Sequence, residues 1–159
     1  MAQLSVRPII ICGYQGKMGR SVTEAILKSD DCHLIGRVGS GDNLDALLIR
    51  HPGSIVIDFT HPGVVHQHLQ CILAHRCHPI IGTSGLTTSQ IEACQAMANR
   101  HQIGGIIAAN FSLAANLMMH FSAMAAPFFE TLDITETHHT EKKDAPAATA
   151  INTACRMHD

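Results

Sequence analysis

Short apolar runs alternate with helical patterns through most of the chain, and this alternation constrains the fold more than any other feature. The runs are rich in β-branched residues and too short for buried helices, which is typical of strands covered on both faces. They lie at residues 8–12, 32–38, 54–59, 79–83 and 103–108, with helical patterns at residues 17–28, 64–75 and 89–100. Such alternation predicts an α/β fold with a doubly wound parallel sheet, right-handed crossovers and helices on both faces.

The stretch Gly13-Tyr-Gln-Gly16-Lys-Met-Gly19 falls between the first strand and the first helix. Glycines there let the backbone turn tightly and approach a pyrophosphate, and the helix N-terminus offers N–H groups and a partial positive charge. The spacing differs from the common G-x-G-x-x-G, and a glycine turn by itself is often only a loop. Its position between a strand and a helix favours a dinucleotide-binding turn in a Rossmann-like domain.

Two further strands end in polar residues. Gly82-Thr83-Ser84-Gly85 follows the fourth strand, where glycines and small hydroxyl residues permit main-chain contact with a carboxamide or a substrate acid, although a plain turn fits equally well. Asp58-Phe59-Thr60 closes the third strand, also at the edge of the sheet where ligands bind. The alternative role of its aspartate is to cap the next helix. The helix after residue 86 has two competing capping-box frames, Thr87 with Gln90 and Ser89 with Glu92.

The pattern changes towards the C-terminus. Residues 113–126 form a helical pattern that Pro127 ends. Its apolar positions recur at the spacing of a core-facing stripe, which predicts a buried face made of Leu113, Leu117, Phe121 and Met124. Core packing is also the expected role of Met118 and Met119.

Within residues 130–137, Leu132, Ile134 and Glu136 alternate with Asp133, Thr135 and Thr137, which predicts a strand with one solvated face. The alanine-rich tail at residues 145–159 predicts a helix, with Asp144 as its cap and Pro146 in its first turn. This new pattern predicts the start of a second, α+β domain.

Composition excludes several classes of protein. The 159 residues are 46% hydrophobic with a formal net charge of −2, so neither a disordered chain nor a partner such as nucleic acid or membrane is expected. The absence of a long apolar run and of a signal-peptide pattern predicts a cytoplasmic protein. The 6 cysteines form no CxxC pair and are expected to be mostly core residues. The 12 histidines, including His75 and His78 at a helical spacing, match no ligand motif, so no metal site is predicted.

Residues 136–146, Glu-Thr-His-His-Thr-Glu-Lys-Lys-Asp-Ala-Pro, form the most polar segment. Histidines transfer protons near neutral pH, and lysines neutralise carboxylates and donate protons. By composition alone, such a segment is more often a solvated loop than a catalytic one.

Five stretches, taken in order, resemble the dihydrodipicolinate reductase (4-hydroxy-tetrahydrodipicolinate reductase) family: GYQGKMGR, IDFTHP, IIGTSGLT, AANFSLAANLM and ETHHTEKKDAPAATA. The likeness runs from Ile9 to Ile151, and its most specific part is H-H-x-x-K-x-D-A-P, which resembles the catalytic signature of the family. The resemblance implies a Rossmann-like dinucleotide-binding domain at residues 1–128. It also implies that residues 129–159 begin an incomplete substrate-binding and oligomerisation domain.

The implied reaction is NAD(P)H-dependent reduction of 4-hydroxy-tetrahydrodipicolinate to tetrahydrodipicolinate, in lysine and diaminopimelate biosynthesis. By resemblance, His138 is the catalytic proton donor or acceptor and Lys142 a proton donor. His139, Ala148 and Thr149 are expected to bind the dicarboxylate substrate. The expected cofactor-binding residues are Gly13, Tyr14, Gln15, Gly16, Lys17, Met18, Gly82, Thr83, Ser84, Ala108, Ala109, Asn110 and Phe111. Full-length members of the family are expected to form homotetramers.

Several departures from the family pattern bear on function. Ala148 stands where the family has glycine, and its Cβ is expected to crowd the substrate carboxylate. Ser84 replaces threonine and keeps the hydroxyl. After the second strand, Arg37 and Ser40 lie where a ribose-binding acid is expected and Asp42 falls in the loop, which favours NADPH over NADH as cofactor.

Three interpretations stay open. The leading one is a reductase of this family, whose activity depends on strands that full members add after the catalytic segment. The second is a non-catalytic NAD(P)-binding fragment of such a reductase. The third, a histidine-rich metal binder, predicts stoichiometric retention of zinc or nickel.

Overall fold

The computed structural model describes residues 6–108, 110–138, 140 and 145–158, without the side chain of Ala148. Contacts divide the chain into two compact units, unit 1 (Met1–Ala108) and unit 2 (Ala109–Asp159). The domain boundary predicted from the sequence lies later, after residue 128, because that prediction includes the helix at residues 113–126 in the first domain. The division of functions between the two domains stays a prediction.

Unit 1 is built from alternating strands and helices. The strands are β1 (Arg7–Cys12), β2 (Cys32–Val38), β3 (Ile55–Asp58), β4 (His78–Ile81) and β5 (Ile106–Ile107). The helices are α1 (Lys17–Leu27), α2 (Leu44–Arg50), α3 (Pro62–Ala74) and α4 (Thr88–His101). All strand pairs are parallel, in the order β2-β1-β3-β4-β5. The predicted α/β fold with a parallel, Rossmann-like sheet is therefore confirmed.

The sheet is buried on both faces around its centre. On β1, Ile10 and Cys12 belong to a core cluster formed with α2, α3 and α4, whereas Ile9 and Ile11 belong to a second cluster that includes Ile26 of α1. Complete burial of one such isoleucine side chain contributes about 1.5–3 kcal/mol. This two-sided burial explains why β1 is continuously apolar rather than alternating.

Local capping sets the ends of two helices in unit 1. Of the two competing frames for α4, the one that forms is the Thr87 box, in which the Thr87 hydroxyl accepts from the Gln90 N–H and the Gln90 side chain accepts from the Thr87 N–H. Helix α2 was not predicted. Its signals are the Asn43 side chain, which accepts from the Ala46 N–H at 3.0 Å, and the buried Leu44 and Leu48. A helix of 7 residues shows too few turns for periodicity to identify it.

Unit 2 contains α5 (Leu113–Ala125), a 3₁₀ turn at Ala126–Phe128, and α6 (Ala148–His158). The prediction of a buried stripe on α5 is wrong. The residues named for it are all exposed: Leu113, Leu117, Phe121 and Met124. Met118 is also exposed, whereas Met119 is buried as expected. Periodicity shows which residues share a helix face, but burial requires another element to cover that face.

Residues 131–138 lie in no helix or strand, so the prediction of a strand over residues 130–137 is also wrong. A strand needs a partner for its backbone hydrogen bonds, and the described part of unit 2 contains none. The tail helix is confirmed, but it begins at Ala148, so Pro146 precedes it instead of lying in its first turn. The predicted cap Asp144 lies outside the described residues. No described helix is both long and apolar enough to cross a membrane.

Candidate functional site

A cavity of about 360 Å³ lies where the sheet of unit 1 reverses its order, between β1 and β3. We call it the switch-point cavity. Its walls come from the loops after β1, β2 and β3 and from α3. The lining residues are Gly13, Gln15, Gly16, Gly39, Ser40, Gly41, Asp42, Phe59, Thr60, His61, Val64 and His68. Open α/β sheets bind ligands at this position, outside the carboxyl ends of the strands.

The glycine turn forms one wall of this cavity, and two of its glycines leave no room for a side chain. Gly13 has a φ of +79°, and a Cβ there would collide with the Phe59 carbonyl oxygen. A Cβ on Gly19 would collide with the Gly13 carbonyl oxygen. The Gly13 N–H also donates to the Val38 carbonyl at 2.8 Å. The turn is therefore packed tightly between β2, the β3–α3 loop and the start of α1.

The middle glycine has a different role. Gly16 is the N-cap of α1 and provides no side-chain cap, and the first turn of the helix contains no acidic residue. The first-turn N–H groups and the positive end of the helix dipole are thus suited to an anion, and a pyrophosphate fits this chemistry. Lys17 and Met18, the next predicted cofactor residues, occupy this first turn and are exposed.

Tyr14 lies beside the switch-point cavity, close to two arginines. The Arg37 guanidinium carbon is 5.8 Å from the centre of the Tyr14 ring. Together with Gln15, Arg20 and Thr23, these two residues line a smaller cavity of about 260 Å³. The carboxylate of Asp42 accepts from the Gly39 N–H at 2.8 Å, so part of its hydrogen-bonding capacity holds its own loop.

Among the described residues of unit 1, the predicted cofactor residues Gly82, Thr83, Ser84 and Ala108 are not in the lining of the switch-point cavity. Thr83 is half-buried and donates from its hydroxyl to Asp58 Oδ1 at 2.7 Å. The Gly82 N–H donates to the Asp58 carbonyl, and the Ala108 N–H donates to the Ile81 carbonyl. Ser84 is exposed. These bonds fix the ends of β4 and β5 relative to the rest of unit 1.

Sequence reasoning missed most of the cavity wall opposite the glycine turn. Phe59, Thr60, His61 and His68 line the cavity but were not selected as site residues. The available signal was their place after the buried strand β3, next to the switch point. The alternative role considered for Asp58, capping the next helix, is wrong, because the His61 side chain caps α3 by accepting from the Gly63 N–H at 3.1 Å.

Asp58 is completely buried at the end of β3. Its Oδ2 is 2.7 Å from His68 Nδ1, and its Oδ1 accepts from Thr83 and from the Thr60 hydroxyl and N–H. Burial by itself raises the pKa of this carboxyl, but the hydrogen bonds from His68, Thr60 and Thr83 outweigh burial and lower the pKa below 3.8. Asp58 is therefore ionised at neutral pH, and His68 Nδ1 is the donor in their hydrogen bond.

Two groups of potential metal ligands occur among the described residues: Cys12, Asp58 and His68, and Asp45, Cys71 and His75. In the first group Asp58 already accepts several hydrogen bonds, and burial raises the pKa of the Cys12 thiol far above its ordinary value, so the thiol stays protonated. In the second, His75 Nε2 lies 2.7 Å from Asp45 Oδ1.

His75 and His78 do not share a helix, because α3 ends at Ala74 and His78 begins β4.

A larger cavity of about 430 Å³ lies between α3, α4 and β5. Its lining is mostly apolar, includes Ile91, Ile103 and Ile107, and carries no charged side chain. A dinucleotide needs N–H donors or cations for its phosphates, so the switch-point cavity is the better candidate in unit 1.

In unit 2 the structure brings one pair of candidate residues together, and it places a third candidate, His138, near a carboxylate. The Asn110 amide donates to the Thr149 hydroxyl at 3.3 Å, which joins a predicted cofactor residue to a predicted substrate residue. The Glu136 carboxylate accepts from the Ala147 N–H at 2.9 and 3.0 Å, and its Oε2 is 4.0 Å from His138 Nδ1. Phe111 is exposed.

The other candidates in unit 2 are described only in part. Lys142, His139 and Ala109 lie outside the described residues. For Ala148 the structure gives only its place as the first residue of α6.

Two family models match the chain in succession. "Dihydrodipicolinate reductase, N-terminus" matches residues 7–111, and "Dihydrodipicolinate reductase, C-terminus" matches residues 114–159. The chain belongs to the dihydrodipicolinate reductase family. The family assignment made from the five sequence motifs is confirmed.

Individual members of the family support the same relationship. The 4-hydroxy-tetrahydrodipicolinate reductase of Coxiella burnetii (strain Dugway 5J108-111) is 40% identical over 146 residues, covering 92% of this chain and 61% of that protein. The Prochlorococcus marinus reductase is 33% identical over 177 residues, covering 92% of this chain and 64% of that protein. A dipicolinate-bound dihydrodipicolinate reductase from Paenisporosarcina sp. TG-14 has a TM-score of 0.81 at 30% identity, covering 96% of this chain and 65% of that one. The chain thus spans less than two thirds of the length of these relatives.

Proposed function

We propose that this chain binds NAD(P)H in the switch-point cavity and serves in the reduction of 4-hydroxy-tetrahydrodipicolinate to tetrahydrodipicolinate. The observation that carries the proposal is the glycine turn, where Gly13 and Gly19 exclude side chains and Gly16 leaves the N-terminus of α1 uncapped. This arrangement fits a pyrophosphate at the helix N-terminus. When bound, the reduced nicotinamide supplies the hydride.

The proposed work of the protein is to bind, orient and transfer protons. Gly13 to Met18 hold the pyrophosphate, and the residues named after β4 and β5 line the nicotinamide region. His138 and Lys142 carry the proton transfers. His139, Ala148 and Thr149 bind a substrate carboxylate. The hydrogen bond from Asn110 to Thr149 supports a shared role for the two segments of unit 2 that carry these residues.

The substrate class is a small dicarboxylate. The Paenisporosarcina relative, at 30% identity, was solved with dipicolinate bound, and we extend that ligand chemistry to this chain. Cytoplasmic location and the homotetramer expected for full-length family members remain predictions from the sequence.

We further propose NADPH as the preferred cofactor. Arg37 lies beside Tyr14 at the edge of the switch-point cavity, and Arg20 lines the same small cavity. Two guanidinium groups suit a ribose 2′-phosphate, which carries more negative charge than the hydroxyl of NADH. Replacing Arg37 with Gln should weaken NADPH binding about tenfold and leave NADH binding nearly unchanged. Equal loss for both cofactors would contradict this preference.

A second function is a dinucleotide-binding chain without catalysis. It is favoured by the exposed apolar face of α5 and by the lack of a strand at residues 131–138, because a substrate site needs a rigid floor. This candidate predicts cofactor binding without turnover.

One experiment separates the two candidates. The purified chain is titrated with NADPH and NADH by fluorescence, and cofactor oxidation is then followed with freshly prepared substrate. Turnover establishes the reductase, binding without turnover establishes the second candidate, and the absence of binding contradicts both.

The catalytic assignment has its own control if turnover is found. His138→Asn should lower kcat about 100-fold or more with little change in cofactor affinity, as expected for loss of a general acid or base. His120→Asn, on the exposed surface of α5, should leave kcat unchanged. Full activity of the His138 variant would contradict the assignment.

A further inference from the structure

The buried carboxylate of Asp58 joins three separate parts of unit 1. Asp58 ends β3, Thr60 lies in the β3–α3 loop, Thr83 lies in the β4–α4 loop, and His68 lies within α3. The distances from the carboxylate to the Thr60 hydroxyl, the Thr83 hydroxyl and His68 Nδ1 are 2.6, 2.7 and 2.7 Å. A single side chain thus connects two loops and a helix.

Helix capping does not account for the contacts of Asp58, because His61 caps α3. A metal site does not account for them either. Asp58 Oδ1 already accepts three hydrogen bonds, two from Thr60 and one from Thr83, and the neighbouring Cys12 is a completely buried thiol. The hydrogen bonds use the carboxylate fully and direct it towards the two loops.

The Thr60 loop borders the switch-point cavity, and the Thr83 loop carries residues proposed above to line the nicotinamide region. Thr60 and His68 line the switch-point cavity, and Phe59 connects the same loop to the glycine turn. The Phe59 N–H donates to the Cys12 carbonyl at 3.0 Å, and the Phe59 carbonyl lies where a Cβ on Gly13 would be. Displacement of this loop would therefore disturb the glycine turn directly.

We propose that Asp58 is a positioning residue for cofactor binding, which holds the Thr60 loop and the Thr83 loop together in the conformation that receives the dinucleotide. The proposal rests on the proposed function for its ligand. Ordering of the two loops, in contrast, follows from the contacts of Asp58 alone. Losing a hydrogen bond to a charged group costs enough free energy to change loop ordering or cofactor affinity about tenfold.

The test compares Asp58→Ala with Asp58→Asn and with a control at a buried polar residue next to the same strand. The control is Ser54→Ala, because Ser54 is completely buried just before β3 and its hydroxyl donates to the His51 carbonyl at 2.9 Å. Two properties are measured in each variant: amide hydrogen exchange over residues 59–63 and 82–86, and the dissociation constant for NADPH.

Asp58→Ala should raise exchange in both segments and weaken NADPH binding, each about tenfold. Asp58→Asn keeps an acceptor oxygen for the threonine hydroxyls. Its amide exchange and NADPH affinity should therefore lie close to those of the unsubstituted chain. Ser54→Ala should lower stability without a selective change in either segment or in NADPH affinity. The proposal is overturned if Asp58→Ala leaves both segments as protected as Ser54→Ala does, or if its NADPH affinity equals that of the unsubstituted chain.

If Asp58→Ala fails to fold, Thr83→Val replaces it, since valine keeps the shape and removes one donor. Exchange should then rise over residues 82–86 and not over residues 59–63, and unchanged exchange in both segments would overturn the proposal. If the unsubstituted chain binds no NADPH, the proposed function fails and so does the cofactor role of Asp58. The exchange measurements still decide whether Asp58 orders the two loops.

Discussion

Apolar residues at the centre of unit 1 are buried, whereas apolar residues along α5 of unit 2 are exposed. In unit 1, Ile10 and Ile11 lie on opposite faces of one strand and both are completely buried. In unit 2, α5 is also rich in apolar residues, yet Leu113 is 74% exposed and Met124 is 61% exposed. Apolar sequence patterns therefore indicated burial in both units, but the residues are buried only in unit 1. The difference teaches that a stripe predicts a buried face only where a second element covers it.

The largest expected effect is a direct test of this contrast with the same substitution in two helices. Leu69 of α3 is 1% exposed and Leu117 of α5 is 42% exposed. Leu69→Ala should reduce the free energy of unfolding by about 2–5 kcal/mol, because it removes buried apolar contacts and leaves a cavity. Leu117→Ala should change it by about 0.5 kcal/mol or less. Denaturant unfolding followed by circular dichroism measures both, and equal losses would show that the face of α5 is covered in solution.

The second prediction concerns the glycine turn of unit 1, whose backbone conformation leaves no room for a side chain at Gly13. Gly13→Ala should lower stability by about 2 kcal/mol or more, because alanine is strained at positive φ and its Cβ meets the Phe59 carbonyl. It should also weaken NADPH binding at least about tenfold.

The matched control is Gly16→Ala, where the nearest atom to a new Cβ is the Gly13 carbonyl oxygen at 3.4 Å. Its stability should change by less than about 1 kcal/mol. If the two variants unfold alike, steric exclusion at Gly13 is not what shapes the turn.

The third prediction concerns the buried charge of unit 1 and its dependence on pH. The pKa of Asp58 in the folded chain is lower than the ordinary 3.8, so its contribution to stability is fully present well above pH 3.8. The contribution decreases as pH falls through 3.8 towards the lower folded-state pKa, because the unfolded chain takes up the proton first. The stability difference between the unsubstituted chain and Asp58→Asn should therefore shrink between pH 5 and pH 3. A difference that is constant or grows in this range would contradict the lowered pKa.

The smallest effect concerns the reactivity of cysteines in the two units. Cys12 and Cys94 of unit 1 are buried, and burial raises the pKa of both thiols, whereas Cys155 of α6 is exposed. A maleimide should therefore label Cys155 within the native chain and reach Cys12 and Cys94 only on unfolding. Mass spectrometry of peptides after timed labelling measures the order. Rapid native labelling of Cys12 would show that the centre of the sheet opens readily.

Local signals predicted unit 1 well. The β-branched runs identified all five strands, and the strand at Cys32–Val38 has the predicted bounds. The glycine spacing placed the turn between β1 and α1, and one of the two capping-box frames left open, that of Thr87, marks the start of α4. Each of these features depends on residues that are close in the chain, so the sequence contains most of the required information. The short helix α2 was missed because its signal spans too few turns.

Features that depend on distant residues were predicted less well. The strand expected at residues 130–137 is not formed, since alternation alone supplies no hydrogen-bonding partner. The role of Asp58 was left between a ligand-binding and a capping interpretation, because its partners Thr83 and His68 follow it by 25 and 10 positions. The role assignments for His138 and Lys142 remain predictions from family resemblance.

The sequence by itself determined the family, the alternation of strands and helices, and the glycine turn that suits a dinucleotide. These properties arise from local backbone preferences and from ordered motifs. Only the tertiary structure decided that the stripe of α5 is exposed, that His61 caps α3, and that one buried carboxylate joins the Thr60 and Thr83 loops. The physical reason is that burial and long-range hydrogen bonds belong to pairs of segments, and their pairing is set by how the chain packs.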